Sequence, residues 1–211
     1  MATIRNGILG GISGKVGPVV GVKNGTQYII RARPRRVKKF TANELENQSK
    51  FRLVQNYLSP FLDLLKVGFN NYHTKTGGFR AAVSYTRKNA LKQVNEGFYI
   101  DAEQLKISGG SLLPVIDPKI RIKADKSIII TWNTESVNYL NKSDQLLLLM
   151  YDFDHRCAFY KIFNGAHREE GTIKVEANKR LENKQIDIYI GFVAADRRTQ
   201  SDSQYLGRYL L

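Results

Sequence analysis

The spacing of hydrophobic positions divides the chain into three stretches. In residues 6–26, NGILGGISGKVGPVVGVKNGT, glycine stands at 7, 10, 11, 14, 17, 21 and 25. Ile8, Leu9, Ile12, Val16, Val19, Val20 and Val22 lie between them. Glycine at this density removes side-chain packing and raises the entropy cost of ordering, which argues against a helix. The apolar residues argue equally against a solvated tail. The pattern predicts an extended arm, or short strands in close backbone approach, that gains order from a surface of this chain or a neighbour.

From residue 41 the spacing becomes helical. Thr41 and Glu44 form a Thr-x-x-Glu capping pattern, after which Leu45, Phe51, Val54, Leu58, Phe61, Leu62 and Leu65 recur at about one turn. Pro60 lacks an amide donor and divides the segment, giving helices at about 42–58 and 60–68. A further helix over about 79–95 carries Ala81, Ala82, Tyr85, Leu91 and Val94 and stops at Gly97. The residues between these helices, NNYHTKTGG, read as a loop.

From residue 98 the period is two. Strands are expected at 98–100, 118–123, 127–132, 145–153, 158–163, 171–176, 185–194 and 204–209, separated by turn signals such as DPK, ADKS, NKSD and NGAH. Short strands at this density suggest an antiparallel sandwich of immunoglobulin or fibronectin type, with Trp132 between its sheets. The predicted fold class is therefore α+β: an extended glycine-rich basic arm (1–40), a short helical region (41–97) and a C-terminal β-sandwich (98–211).

Charge adds a direction to this picture. The chain has 211 residues and a formal net charge of +14. Residues 1–40 hold nine basic residues and no acidic one, so about two thirds of the excess lies in the first fifth of the chain. The densest run, RARPRRVKKF, contains Arg31, Arg33, Arg35, Arg36, Lys38 and Lys39. Such a cluster repels itself until a counter-charge is supplied. An acidic patch on a neighbouring subunit would serve, and so would phosphates, neutralised through counterion release and arginine's bidentate geometry. No base-reading motif accompanies the cluster, so nucleic-acid binding would be weakly sequence-specific. The helical region is also basic, with Tyr72, His73, Lys75, Arg80, Arg87, Lys88 and Lys92. Rings beside cations can stack bases, although tyrosine on a helix is more often a packing residue.

Local chemistry is sparse. GISGKVG resembles a P-loop, but GxxxxGK[ST] requires glycine where Leu9 stands and Ser or Thr where Val16 stands. One cysteine, Cys157, excludes an internal disulfide or a Cys-rich metal site. His73, His155 and His167 show no ligand spacing. In YDFDHRC, strand alternation places His155 and Cys157 opposite Asp152 and Asp154, so the segment reads as a hairpin end with solvated charges. HREE at 167–170 reads as a turn. No cofactor, metal or small-molecule substrate is expected. No apolar run reaches the roughly 20 residues of a membrane span, and the start has no secretory signal pattern. These point to the cytoplasm or an assembled particle.

The segments NGILGGISGKVGPVVG, IRARP and TANELENQSKFRLV together resemble a family of uncharacterised Bacteroidota proteins of similar length, which opens with an NGILGG-x-SGKVG-like segment. The ending SDSQYLG resembles that family's Ser-x-Ser-x-Tyr-x-Gly pattern. GVKNGTQYII departs from a tryptophan expected near residue 23. The resemblance implies no activity and supplies no catalytic residue.

The expectation is a non-enzymatic structural subunit of a phage-like particle or a cytoplasmically assembled polymer. Ile8, Leu9, Ile12, Val16, Val19 and Val20 would dock on neighbouring copies or other structural subunits, and the basic run would pair charge. The alternative is a nucleic-acid-binding protein that uses the arm and helices for phosphate contacts.

Overall fold

The computed structural model describes residues 3–4, 10–34, 39–72, 77–94, 97–176 and 180–211. The chain forms two compact units, Met1–Leu45 and Glu46–Leu211.

In the first unit, β1 (Thr3–Ile4), β2 (Ile12–Val16), β3 (Val19–Asn24) and β4 (Gln27–Ala32) form an antiparallel sheet in that order. The glycine-rich segment is therefore not a single extended arm; its strands pair with one another. Gly17 (φ +52°) and Gly25 (φ +61°) turn the chain between strands in a conformation that side chains disfavour. At Gly21 a Cβ would lie 2.2 Å from the Ile12 carbonyl oxygen, and at Gly11 it would lie 2.1 Å from the Tyr28 ring. The glycines that exclude a helix are what let these strands double back and approach so closely.

Thr41 and Glu44 form the expected reciprocal cap. The Thr41 amide donates to Glu44 Oε2 at 2.8 Å, and the Glu44 amide donates to Thr41 Oγ1 at 3.3 Å. From there runs α1 (Ala42–Leu58), followed by a single 3-10 turn at Pro60 and α2 (Leu62–Gly68). The third helix, α3 (Gly78–Asn89), is shorter than its spacing suggested. Asn89 turns its side chain back to the Tyr85 carbonyl, a local bond that competes with helix propagation. Leu91–Val94 then forms β5, paired with β6 (Gly97–Ile100).

The remaining strands are β7 (Lys119–Ile122), β8 (Ile128–Thr131), β9 (Gln145–Asp152), β10 (Cys157–Lys161), β11 (Thr172–Val175), β12 (Gln185–Val193) and β13 (Gln204–Leu210). They form two antiparallel sheets, ordered β11-β8-β7 and β10-β9-β12-β13. The two sheets share one core: Ile128, Ile130, Ile173 and Val175 of the smaller meet Leu146, Leu148, Ile188 and Phe192 of the larger. Trp132 lies between them, edge-on to Phe192 at 5.8 Å, with its indole N–H donating to the Arg168 carbonyl.

The opposite face of the larger sheet is covered as well. Leu147, Leu149, Tyr151 and Tyr189 pack against Val54, Tyr57, Leu58 and Phe61, together with Leu64, Leu65, Ala81 and Ala82 from α2 and α3. Helices and sheets thus form successive layers of one body, with β9 and β12 in the middle. The fold combines helices with several antiparallel sheets, and strands predominate.

Candidate functional site

Two exposed surfaces stand out, one in each unit. In the first unit, β4 ends the sheet and every one of its six residues is exposed. Tyr28, Ile29 and Ile30 are 42%, 44% and 58% exposed. The Arg33 amide donates to the Pro18 carbonyl at 2.7 Å, which fixes the phase of the ladder. Residues 27, 29, 31 and 33 turn their backbone groups toward β3, and Tyr28, Ile30 and Ala32 turn theirs outward. The outer edge therefore offers amides and carbonyls that no strand among the described residues pairs, flanked by apolar side chains, a template for another strand.

Lys23 on β3, Arg31 on β4 and Arg33 just after it lie beside this edge; they, Lys15 on β2 and Lys39 are all exposed and without an ion pair among the described residues. Lys23 Nζ lies 5.8 Å from the Tyr28 ring centroid. Of the apolar residues expected to dock, Ile12, Val19 and Val20 are half-buried and Val16 is 48% exposed. Ile8, Leu9, Arg35, Arg36 and Lys38 lie outside the described residues.

The second surface is a groove of about 710 Å³ between α1 and α3. Phe51 and Gln55 line it from α1, and Arg80, Ser84, Arg87 and Lys88 from α3. A smaller adjoining hollow adds Arg52. The spacing of 80, 84, 87 and 88 puts these residues on one helical face. The helix GFRAAVSYTRKN has no acidic residue. Phe51, expected within the apolar stripe of its helix, is 44% exposed at the groove.

Elsewhere three buried or nearly buried charged groups, Asp152, Arg168 and Asp187, are paired and hold separate segments together. Asp152 was expected to be solvated, yet its side chain is 2% exposed. It accepts from the Asp154 and His155 amides, from His155 Nδ1 at 2.7 Å and from Lys184 Nζ at 3.4 Å. The hairpin turn folds His155 back onto the aspartate's side, which strict strand alternation did not allow for. Burial raises the carboxyl pKa, but the hydrogen bonds from His155 and Lys184 outweigh it and leave the group below its ordinary value. Arg168, in the HREE turn, is buried. It pairs with Asp144 at 3.0 Å, donates to the Leu113 and Pro114 carbonyls and stacks on Phe192 at 3.9 Å. Asp187 accepts two bonds from Arg208 and one from Tyr205, each at 2.8–2.9 Å. Burial pushes the nearby Tyr151 hydroxyl up to about 12. No group of His, Cys, Asp and Glu able to hold a metal occurs among the described residues, and no helix there is long and apolar enough to cross a membrane.

A family model described as a family of unknown function, DUF6266, matches residues 11–207. The chain belongs to that family. No curated protein matches the chain. The DUF6266 match takes in β2–β4, the α1–α3 groove and the C-terminal SDSQYLG run. In this DUF6266 chain that run is a latch. Ser203 Oγ accepts from the Ile107 and Ser108 amides, Asp202 accepts from Gly110 N and Lys106 Nζ, and Ser201 Oγ accepts from Phe192 N. The register then slips between Ile188 and Tyr189, opposite Gly207 and Tyr205, and Gly207 takes φ +115° at the bulge. Serine, tyrosine and glycine at those positions thus have structural work to do.

Proposed function

We propose that this DUF6266 protein is a non-enzymatic assembly subunit whose N-terminal sheet adds a strand to that of a neighbouring copy. The observation that carries this reading is β4: the last strand of its sheet, exposed on both faces, with an apolar edge that is unpaired among the described residues. Proteins that remain monomeric blunt such edges with charge, bulges or a covering element. Here the middle of the strand is Tyr-Ile-Ile.

A two-fold axis through Ile29 gives a compatible antiparallel pairing. It sets Tyr28 opposite Ile30 of the second copy and Gln27 opposite Arg31, so apolar meets apolar and no arginine faces another directly. The hydrogen-bonded positions are then Tyr28 and Ile30, whose backbone groups point outward. The reading of β7–β13 as an immunoglobulin/fibronectin-like sandwich is supported by their order. The first, second and fifth strands of the set form one sheet, and the third, fourth, sixth and seventh form the other. Such a domain commonly serves as a displayed or linking module.

Light scattering of the full chain and of a chain lacking residues 1–39, each with and without nuclease, tests the assignment. A nuclease-resistant oligomer that becomes a folded monomer on truncation is the expected result. A truncated chain that assembles as well as the full one, or association that nuclease abolishes, rejects it.

A further inference from the structure

Independently of the assembly reading, we infer that the groove between α1 and α3 binds single-stranded nucleic acid. The argument starts from Arg80. It stands in the first turn of α3, where the helix dipole disfavours a cation. No acidic residue of that helix offsets it. Arg87 and Lys88 sit in the last turn, where the dipole would favour them, but they share Arg80's face. With Arg52 from α1 they surround one groove with four cations that make no ion pair among the described residues.

The acidic residues of α1 and α2 are engaged elsewhere. Glu44 caps Thr41, Glu46 is 2.7 Å from Lys50, and Asp63 is 3.0 Å from Lys66. Among the described residues the groove is thus an uncompensated positive site, and what would complete it is a chain of anions.

The class of anion follows from the other lining groups. Phe51 presents an exposed ring beside the cations. Aromatic rings next to cationic tracks stack unpaired bases in single-strand binders. Gln55 offers both a donor and an acceptor to a base edge. A duplex keeps its bases stacked and paired, so it has no ring to offer Phe51. An acidic peptide would use the cations and leave the aromatic ring without a role. The groove volume of about 710 Å³ lies within the range of sites that enclose a small ligand, consistent with one or two nucleotides entering while the flanking backbone follows the arginines.

The test is fluorescence anisotropy of the full chain with a labelled oligothymidylate at low ionic strength. Polyglutamate, inorganic polyphosphate and duplex DNA serve as competitors. The expected result is binding whose logarithm falls with log salt at a slope of about −2 to −3, from three or four phosphate contacts on a single strand. Arg80→Glu with Arg87→Glu should weaken binding at least tenfold. Phe51→Ala should weaken oligothymidylate binding about tenfold and leave polyphosphate competition unchanged. Arg31→Ala with Arg33→Ala, in the other unit, should have little effect. Circular dichroism checks that each variant folds. The inference is overturned by absent binding, by unchanged affinity in the Arg80/Arg87 variant, or by polyglutamate or duplex competing better than single-stranded DNA.

Discussion

Replacing Ile30 by lysine isolates the β4 edge from the rest of the molecule. The side chain is 58% exposed. Burying an isoleucine fully is worth about 1.5–3 kcal/mol, so the exposed share available to a partner is roughly 1–1.5 kcal/mol by the same scale. A two-fold pairing uses the residue twice, and the substitution removes roughly 2–3 kcal/mol from association. At 1.4 kcal/mol per tenfold, the dissociation constant should rise by roughly 30- to 150-fold. The introduced ammonium groups would also stand near Arg31 and Lys23 and repel the second copy.

Ile30→Pro tests the same edge through the backbone. The Ile30 amide points away from β3, so proline removes a donor to the partner and no bond of the β3–β4 ladder. Two lost intermolecular bonds, each worth about 1 kcal/mol net, predict roughly a 30-fold weakening. Sedimentation velocity across a concentration series measures both variants, with circular dichroism to confirm that the sheet survives. If either variant is folded and shifts the association midpoint by less than about threefold against these estimates, β4 is not the assembling edge.

Three further outcomes follow from the paired groups of the second unit. Asp144→Ala leaves Arg168 buried without its carboxylate and should destabilise the chain by about 3–5 kcal/mol, read as a lower urea midpoint. Asp152 has a folded pKa below its ordinary value. Its stabilisation is therefore present above the ordinary carboxylate range and is lost as pH falls through the folded value. Asp152→Asn should flatten the acid limb of a stability–pH curve, and an unchanged limb would remove Asp152 as its cause. Ser203→Ala deprives the buried Ile107 and Ser108 amides of their acceptor and should cost about 1–3 kcal/mol, with faster amide hydrogen exchange confined first to residues 105–110.

The strands after residue 118 were legible because each is short, alternates or runs apolar, and is flanked by turn residues. Their pairing was not, since register depends on residues far apart in sequence. The run QLLLLMYD carried more information than alternation alone could express. A strand buried on both faces loses its period of two, and β9 is such a strand, with the smaller sheet on one side and helices on the other. Helix α3 was overextended because Leu91 and Val94 fit a helical stripe as well as a strand, and cross-strand pairing with β6 decided between them. The glycine-rich segment gave its backbone freedom but not its partner: strands of the same segment satisfy one another.

The candidate surfaces divide along the same line. Arg80, Arg87 and Lys88 were visible as a basic cluster, and their spacing on one face could be read directly. Phe51 was read as part of an apolar stripe, and only the placement of α3 beside α1 shows its ring bordering a groove. Arg168 was hidden altogether. Its partners Leu113 and Pro114, Asp144 and Phe192 come from three separate stretches of chain, so nothing local marks it as buried.

The two proposed surfaces respond to salt in opposite directions, which lets one full chain report on both. Pairing of β4 with a second copy brings together two segments whose residues 1–40 hold nine basic residues and no acidic one, and these repel each other. Added salt screens that repulsion over a Debye length of about 10 Å at 0.1 M and should strengthen self-association. Nucleic acid in the α1–α3 groove gains from counterion release, so the same salt should weaken it. Oligomers that grow with ionic strength while bound oligonucleotide falls away would require two distinct interfaces, one apolar and held apart by charge, the other held together by it. A single shared basic surface would instead lose both associations together.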